Sequence, residues 1–333
     1  MALWSSIFWT SKETKGCKLS AIETLKGITK GIFLKEENMM KHTSYGIGGP
    51  AKAYITPEDE NDLAKILKFA NQNKIETYFV GSGSNLLVSD DGIDGIVITL
   101  GKAINNLKIN GANVYAESGV MLGKVVKECI KSNLSGLESL IGVPGTLGGA
   151  LIMNAGAFGG EISNFLKKVT VMTMQGDKKD YKSGEIKFSY RHSTFSSEEI
   201  VISAEFELIQ SDAKTVAEKK TLASGSRKAS QPLKFRSAGS VFKNPSEGAA
   251  GYFIDKAGLK GTKVGDAEIS NHHANFFVNH GEAKASDIVE LIRLARKTVK
   301  NKFGVMLELE VKTLGFKSGT FDIWKKRIKI VFH

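Results

Sequence analysis

Cysteine is scarce in this sequence. The 333 residues include two cysteines, Cys17 and Cys129, so the chain has neither a disulfide framework nor the spacing of a cysteine-ligated metal site. Cys129 lies among apolar residues at helical spacing, and we expect it to be a small buried hydrophobic residue. Together these features indicate a protein of the reducing cytoplasm.

Long apolar runs are also missing. No segment approaches the roughly 20 apolar residues that a bilayer-spanning helix needs, so we expect no membrane span. The apolar stretch from Leu3 to Trp9 is short, lacks a basic start and has no small-residue cleavage pattern before Lys12. We interpret it as a local hydrophobic patch or an unusual leader, not as a secretory signal. The sequence has no internal repeat and no low-complexity segment.

The overall composition is that of a globular protein. Hydrophobic residues make up 41% of the chain and charged residues 24%, and this length predicts two or three domains. The formal net charge of +11 favours an anionic partner. The basic residues are scattered rather than gathered into a stripe with interleaved aromatics. The charge therefore agrees with nucleotide ligands as well as with nucleic acid.

Hydrophobic periodicity predicts alternating helices and strands. A helix is expected after the start signal Thr56–Asp59, with Thr56 as its hydroxyl cap and Pro57 in its first turn. Other helices are predicted at 22–28, 122–130, 212–229 and 288–303. Strands are predicted at 78–80, 95–100, 169–174, 200–208 and 305–314.

A short glycine-containing loop follows the predicted strand 78–80. It consists of Gly81, Ser82, Gly83, Ser84 and Asn85. Glycine lets the backbone approach closely, so successive N–H groups could form a nest for a pyrophosphate. For this fragment taken alone, a tight turn between strands is the favoured explanation. The long helix of a Rossmann fingerprint does not follow, so a nucleotide bound here would require another fold.

A second, denser cluster of small residues lies between positions 142 and 149. Its members with a predicted role in cofactor binding are Gly142, Pro144, Gly145, Thr146, Gly148 and Gly149. Such a segment lets backbone lie flat against a planar ligand, and Met153–Ala157 continues with small side chains. Two backbone-dominated surfaces suit an extended dinucleotide. Close packing of strands is the competing interpretation.

These fragments belong to an ordered set of motifs. The set comprises His42–Ser44, Ile47–Ala51, Gly81–Leu87, Gly142–Ala150, Met153–Ala157, Tyr190–Phe195, Gln231-Pro232, Ser237–Pro245 and Leu307–Val311. In order and spacing, from about Asn38 to Gly315, the set resembles the UDP-N-acetylenolpyruvoylglucosamine reductase family, within the vanillyl-alcohol-oxidase-like FAD-binding superfamily.

The resemblance implies an α+β fold. It predicts a PCMH-type FAD-binding domain at 38–210, in two subdomains of about 38–100 and 101–210. A C-terminal α/β substrate domain is expected at 211–315. Outside the resemblance lie an N-terminal extension, 1–37, and a basic aromatic tail, 316–333.

The resemblance also implies an activity. Members of the family reduce UDP-N-acetylglucosamine enolpyruvate to UDP-N-acetylmuramate for peptidoglycan synthesis, using NADPH and noncovalently bound FAD. The pyrophosphate of FAD is expected on the Gly81–Asn85 loop, with further contacts from the 142–149 cluster. We expect a cytoplasmic monomer whose partners are NADPH and the UDP-sugar, and no nucleic-acid partner.

Three positions match the family's catalytic residues. Ser240 corresponds to the serine that protonates the substrate, and Arg191 and Glu310 to the pair that steadies the reacting enol ether and its carboxylate; Arg191 is also expected to contact the cofactor. A charged Glu310 would not stabilise an anion, so it is either protonated or positions Arg191 or a water. From the residues alone, Arg191 and Glu310 could be solvent-facing and Ser240 could serve only a turn.

Further residues carry weaker expectations. Arg227 matches a position that contacts the UDP portion of the substrate, and Tyr190 and Lys243 are possible substrate contacts. The adjacent pair His272-His273 has no accompanying carboxylate cluster, so we expect a structural or polar-surface role and no metal site.

Two positions depart from the family's pattern. Gly46 stands where a larger, often basic residue is common, and Arg236 stands where proline is common. Neither departure removes a catalytic group.

Two other functions remain open at this stage. An FAD oxidase or dehydrogenase acting on another small molecule would share the fold. A non-catalytic nucleotide or nucleic-acid binder would use the positive charge, and its binding would weaken steeply with salt.

Overall fold

The structure, a computed structural model, describes residues 11–323, so the apolar stretch from Leu3 to Trp9 and most of the basic tail lie outside the described residues. The α-helices of the described part are α1 (Ser11–Ile28), α2 (Glu60–Gln72), α3 (Leu122–Lys131), α4 (Leu147–Ile152), α5 (Ala213–Ser230), α6 (Ala250–Lys256) and α7 (Ala285–Phe303). Short 3-10 helices lie at Met39–His42, Glu138–Leu140 and Ile162–Phe165.

The strands are mostly short. Those of the first half are β1 (Ile32–Asn38), β2 (Pro50–Thr56), β3 (Thr77–Phe79), β4 (Leu86–Val88), β5 (Ile93–Ile98), β6 (Leu107–Asn110), β7 (Asn113–Glu117), β8 (Leu134–Ser135), β9 (Gly156–Ala157) and β10 (Gly160–Glu161). Those of the second half are β11 (Leu166–Thr173), β12 (Lys178–Lys182), β13 (Phe188–Ser189), β14 (His192–Ser193), β15 (Glu199–Glu207), β16 (Ile209–Gln210), β17 (Lys263–Val264), β18 (Ala267–Ile269), β19 (Phe277–Asn279) and β20 (Lys312–Leu314).

The first layer is a four-stranded sheet in the order β1-β2-β5-β3. Strand β5 runs parallel to both β2 and β3, and β1 is antiparallel to β2. Helix α2 packs on this sheet through Leu63, Ile66 and Leu67, which recur at helical spacing and are fully buried. Helix α1 adds Ile22 and Leu25 to the same core, so part of the N-terminal extension belongs to this layer.

The predicted start of α2 was wrong by three residues. Thr56 is the last residue of β2, and the helix is capped by Asp59, whose carboxylate accepts the Asp62 N–H at 2.8 Å. Thr56 pairs with Ile32 in the β1–β2 ladder, so it belongs to a strand and does not cap the helix. The chain therefore turns at Pro57 before the helix begins.

The second layer is a five-stranded antiparallel sheet in the order β12-β11-β15-β7-β6. Helices α3 and α4 cover it, and the predicted helix 122–130 is confirmed as α3. Cys129 lies in this core at 1% exposure, as expected of a small apolar residue. Helix α5 also packs here, through Ala223 and against the 3-10 turn Glu138–Leu140.

The third unit is built on the small antiparallel sheet β17-β18-β19 with α6 and α7. Helix α7 buries its apolar face and ends at Gly304, whose φ of 72° forms a left-handed cap. The core of this third unit also contains Tyr45 and Leu87 from the first part of the chain. The predicted α+β class is confirmed by this architecture.

The predicted continuous strand from Val305 to Leu314 was wrong. Only Lys312–Leu314 is a strand, and it returns to the first half of the chain to pair in parallel with β4. Before it, Leu309 forms an isolated bridge with Phe242. One segment thus contacts two different partners, which a single regular strand could not reach.

None of the helices within residues 11–323 combines the length and apolar character that crossing a membrane requires.

Candidate active site

The Gly81–Asn85 loop presents five backbone N–H groups without protein acceptors in the described part of the chain. Gly83 has a φ of 64°, and a Cβ there would lie 2.0 Å from the His42 carbonyl oxygen. Only glycine allows this turn to press against the His42–Gly46 segment. The free N–H groups fit a pyrophosphate.

The second glycine cluster lies directly against the first. A Cβ on Gly81 would meet the Thr146 hydroxyl at 2.3 Å, and one on Gly145 would lie 3.4 Å from Ser84 Oγ. Buried hydroxyls of Ser82 and Ser118 have no hydrogen-bond partner among the described residues. Close loops with uncompensated polar groups form one cradle for an extended polar ligand such as FAD.

Arg191 sits at the tip of the β13–β14 hairpin. Its φ of 55° is in the left-handed region, which costs a residue other than glycine about 1 kcal/mol or more. Two anchors hold the hairpin against the end of α4: Asn154 Nδ2 donates to the Ser189 carbonyl at 3.2 Å, and Ser193 Oγ donates to the Ile152 carbonyl at 2.7 Å. The strain is thus fixed by the surrounding structure.

Arg191 and Glu310 form an ion pair. Arg191 Nε donates to Glu310 Oε1 at 2.7 Å, and its Nη2 donates to the Gly156 carbonyl at 3.1 Å. The side chains are 22% and 13% exposed. Burial raises the pKa of Glu310 above its ordinary value, and the Arg191 guanidinium opposes that rise. Of the roles left open for Glu310, orienting Arg191 is the one that this contact supports.

Ser240 begins a segment that is hydrogen-bonded to the neighbouring segment, which carries Glu310. It forms an isolated bridge with Phe276, and the carbonyl of the next residue, Val241, accepts the Glu310 N–H at 2.8 Å. Ser240 is half-buried. The three predicted catalytic residues thus lie on three parts of the chain: Arg191 on the hairpin, Glu310 on the segment paired with it, and Ser240 at the start of the segment bonded to that one.

Tyr190 and Lys243 lie on either side of the same region. The Tyr190 hydroxyl accepts the Asn244 N–H at 3.4 Å, which joins the Arg191 hairpin to the C-terminal unit. The Tyr190 ring stays 45% exposed. Lys243 Nζ lies 3.7 Å from Glu308 Oε2. Both side chains border the predicted catalytic residues, as a substrate contact requires.

Arg227 belongs to helix α5, and its side chain packs against the loop that contains Gly142. Its Nε donates to the Ile141 carbonyl at 3.2 Å and its Nη1 to Gln231 Oε1 at 3.3 Å. The guanidinium lies 5.7 Å from the centre of the Phe158 ring. Burial lowers the pKa of Arg227, yet a guanidinium stays charged at neutral pH. The arginine therefore provides a fixed cation at the edge of the second glycine cluster.

The two departures from the family's pattern contact each other. A Cβ on Gly46 would lie 2.3 Å from Arg236 Nη1, and Gly46 has a φ of 64°. The Arg236 side chain therefore fills the space that a larger residue at position 46 would need. The two positions depart from the pattern as a pair.

Of the adjacent histidines, His272 is exposed and His273 makes structural contacts. The His273 ring meets Phe276 edge-on at 4.9 Å between centroids, and its Nδ1 accepts the Asn275 N–H at 3.2 Å. Burial lowers the pKa of His273. Within residues 11–323, no cluster of three histidine, cysteine, aspartate or glutamate side chains suits a metal ion.

Two asparagines near the site were not predicted from the sequence. Asn154 lay in a motif interpreted only as a run of small residues, and it holds the Arg191 hairpin. Asn275 bonds the backbone of Phe242, next to the Ser240 segment. A polar residue between two apolar neighbours, as Asn275 is between Ala274 and Phe276, is a signal that could have identified it.

The fold and the paired glycine loops define an FAD-binding oxidoreductase. Residues 51–180 match the FAD binding domain family. Residues 231–314 match the family of the UDP-N-acetylenolpyruvoylglucosamine reductase C-terminal domain. These two matches together span most of the described chain.

Relatives that align with most of the chain come from the same family as the C-terminal domain match. The UDP-N-acetylenolpyruvoylglucosamine reductase of Clostridioides difficile (strain 630) is 41% identical over 295 residues, covering 88% of this chain and 97% of that protein. That of Carboxydothermus hydrogenoformans is 42% identical over 295 residues, with the same coverage. The crystal structure of the Thermus caldophilus reductase superposes with a TM-score of 0.75 at 35% identity, covering 86% of this chain and 99% of that one.

The chain belongs to the UDP-N-acetylenolpyruvoylglucosamine reductase family. It is a flavin-dependent oxidoreductase of peptidoglycan precursor synthesis.

Proposed function

We propose that the chain reduces the enolpyruvyl ether of UDP-N-acetylglucosamine to UDP-N-acetylmuramate, with NADPH as hydride donor and FAD bound noncovalently. The observation that carries this proposal is the Arg191–Glu310 pair at 2.7 Å, tied by the Glu310 N–H to the strand segment that begins at Ser240. Support also comes from the Asn85 amide, which donates to the Glu310 carbonyl at 3.3 Å and so links the pair to the first glycine loop.

FAD would be held by backbone rather than by charged side chains. The pyrophosphate oxygens of FAD need hydrogen-bond donors. The free N–H groups of Gly81–Asn85 and the unpartnered hydroxyls of Ser82 and Ser118 would supply them. The predicted contacts from Gly142, Pro144, Gly145, Thr146, Gly148 and Gly149 extend this surface. Bound there, FAD supplies hydride transfer from NADPH to the terminal carbon of the substrate's alkene.

Arg191 would stabilise the charge that develops during reduction. When a hydride adds to the terminal alkene carbon, negative charge grows on the neighbouring carbon and spreads into its carboxylate. A guanidinium fork binds a carboxylate more tightly as its charge increases. Glu310 and the Gly156 carbonyl each accept one N–H of Arg191, from Nε and Nη2, which leaves further N–H groups of the guanidinium for the substrate carboxylate.

Ser240 would deliver the proton. A hydroxyl is a weak acid in water, but it can donate to a strongly basic enolate carbon held within hydrogen-bond reach. The products balance: one hydride and one proton add across the double bond, and the serine regains its proton from solvent.

The substrate contacts follow the same geometry. Tyr190 and Lys243 border the reacting end, and Arg227 supplies a cation for the UDP portion at the Gly142 loop. We also propose a cytoplasmic monomer, in line with the sparing use of cysteine and with the absence of a helix in residues 11–323 that could span a membrane.

A split of the two half-reactions tests the function. The purified protein should be yellow, lose its flavin colour with NADPH and regain it with the enolpyruvyl UDP-sugar. In Ser240→Ala, the bleaching rate should stay within about threefold of wild type, while the recolouring rate should fall by about 10²–10⁴-fold, the usual contribution of a positioned acid.

Ser237→Ala provides the matched control, since it removes a hydroxyl three positions earlier and should recolour at the wild-type rate. An unchanged recolouring rate in Ser240→Ala would remove Ser240 from the mechanism. A colourless protein that binds nucleic acid in a steeply salt-dependent manner would instead contradict the function itself.

A further inference from the structure

The buried side chain of Asn275 forms two hydrogen bonds to the backbone of Phe242, two positions after Ser240. Its Oδ1 accepts the Phe242 N–H at 3.0 Å, and its Nδ2 donates to the Phe242 carbonyl at 2.8 Å. The Asn275 carbonyl also accepts the Val241 N–H at 2.8 Å. Asn275 is 3% exposed, so its amide forms these bonds away from bulk solvent.

The opposite edge of the same segment carries Glu310. The Val241 carbonyl accepts the Glu310 N–H at 2.8 Å, and Lys243 N–H donates to the Glu308 carbonyl at 2.9 Å. Positions 240–243 are therefore held between Asn275 on one side and the Glu310 segment on the other.

The amide contact fixes the register of this arrangement. Asn275 satisfies both backbone groups of one residue, Phe242, so a slip of one position would break both hydrogen bonds at once. Ser240 and Phe242, two positions apart, each form an isolated bridge. Side chains alternate between faces in such extended pairing, so a one-residue slip would turn the Ser240 hydroxyl away from the face it now occupies. The isolated bridge between Ser240 and Phe276 follows directly from this register.

We propose that Asn275 is a positioning residue for the proton-donating Ser240, acting through the Phe242 backbone. The inference rests on the proposed function, because it assigns Asn275 to the step in which Ser240 acts. It predicts that loss of the amide impairs the reaction with the UDP-sugar and spares the reaction with NADPH. A residue that served the core alone would lower both rates together, or only the stability.

The experiment compares the two half-reactions in Asn275→Leu, an apolar replacement of similar size. Loss of both hydrogen bonds frees the segment to move, and misplacement of a reacting group by about 1 Å can cost on the order of 100-fold in rate. We expect flavin reduction by NADPH within about threefold of wild type, and flavin reoxidation by the enolpyruvyl UDP-sugar slower by about 10- to 100-fold. Asn275→Ser, which leaves room for a water, should give an intermediate ratio and supplies the test if Asn275→Leu does not fold.

Asn279→Leu is the matched control. Asn279 is equally buried, and its side chain bonds the Tyr45 carbonyl and the Gly281 and Ala283 N–H groups instead of the Ser240 segment. It should lower the melting temperature without changing the ratio of the two rates. A wild-type ratio in both folded Asn275 variants would overturn the inference alone. A wild-type protein that NADPH reduces but the UDP-sugar fails to reoxidise would overturn the proposed function.

Discussion

Glu310 carries two opposing influences in one carboxyl group. Burial raises its pKa above the ordinary value of 4.5, and the Arg191 guanidinium at 2.7 Å pulls in the other direction. Desolvation is the larger of the two. The ion pair is therefore maintained against a cost, which is common where a charge must be held in one orientation for chemistry.

This balance predicts a pH dependence of stability. Just above pH 4.5, the folded chain keeps a proton on Glu310 that the unfolded chain has released, so unfolding releases a proton. The free energy of unfolding of the wild type should therefore fall relative to Glu310→Gln as the pH rises through this window and level off above the folded pKa. Urea unfolding of the flavin-free protein at a series of pH values measures the difference.

Glu308→Gln is the control, because the Glu308 side chain is 76% exposed on the same segment. Any part of the pH trend that Glu308→Gln reproduces would not come from the burial of the Glu310 carboxyl. A Glu310→Gln difference that runs the other way would mean that Arg191 outweighs burial and lowers the pKa.

At the scale of elements, helix α7 is capped by a residue from a distant part of the chain. The Asp90 carboxylate accepts the N–H groups of Ala285 at 2.7 Å and Ser286 at 3.0 Å. An acidic group at a helix N-terminus satisfies free N–H groups and interacts favourably with the helix dipole. The contact joins the FAD-binding part of the chain to the main helix of the C-terminal unit.

Asp90→Ala should therefore destabilise the protein by about 1 kcal/mol, within the range of 0.5–2 kcal/mol for a lost N-cap. The measurement is the urea midpoint at constant m-value. Asp91→Ala removes the neighbouring exposed carboxylate and should change stability by less than about 0.5 kcal/mol. Equal effects of the two variants would contradict a specific cap.

At the scale of the whole molecule, the units share cores and strands. The C-terminal core contains Tyr45 and Leu87, and β20 pairs with β4. The two glycine loops also come from different layers, with Gly81 against Thr146. A ligand lying across both loops would therefore hold the two layers of the FAD-binding part together.

FAD should accordingly stabilise the flavin-free protein by mass action. At a concentration about 100 times the dissociation constant, the gain is about 2.7 kcal/mol, which raises the melting temperature of a chain of this size by about 4 °C. Riboflavin shares the ring system but lacks the pyrophosphate, so it should raise the melting temperature much less. An equal shift with riboflavin would mean that the glycine loops do not bind the pyrophosphate.

Local sequence patterns determined much of the architecture. Helix α3 follows from apolar residues at helical spacing, because periodicity is a property of neighbouring residues. The FAD-binding fold and the candidate pair Arg191 and Glu310 came instead from the resemblance of the ordered motifs to a known family. The domain boundaries drawn from the sequence stay predictions; the packing of α5 on the second layer and of Phe316 and Phe321 on the C-terminal core adds detail at those edges.

Only the tertiary structure decided what depends on residues far apart in the chain. Thr56 pairs with Ile32 in a strand instead of capping a helix. The predicted strand from Val305 to Leu314 is interrupted because Leu309 pairs with Phe242, whereas Lys312–Leu314 pairs with β4. The sequence by itself marked Arg191 and Glu310, but their contact spans 119 positions. Their ion pair, and the burial that raises the pKa of Glu310, exist only because folding removes water from around groups that the chain does not place side by side.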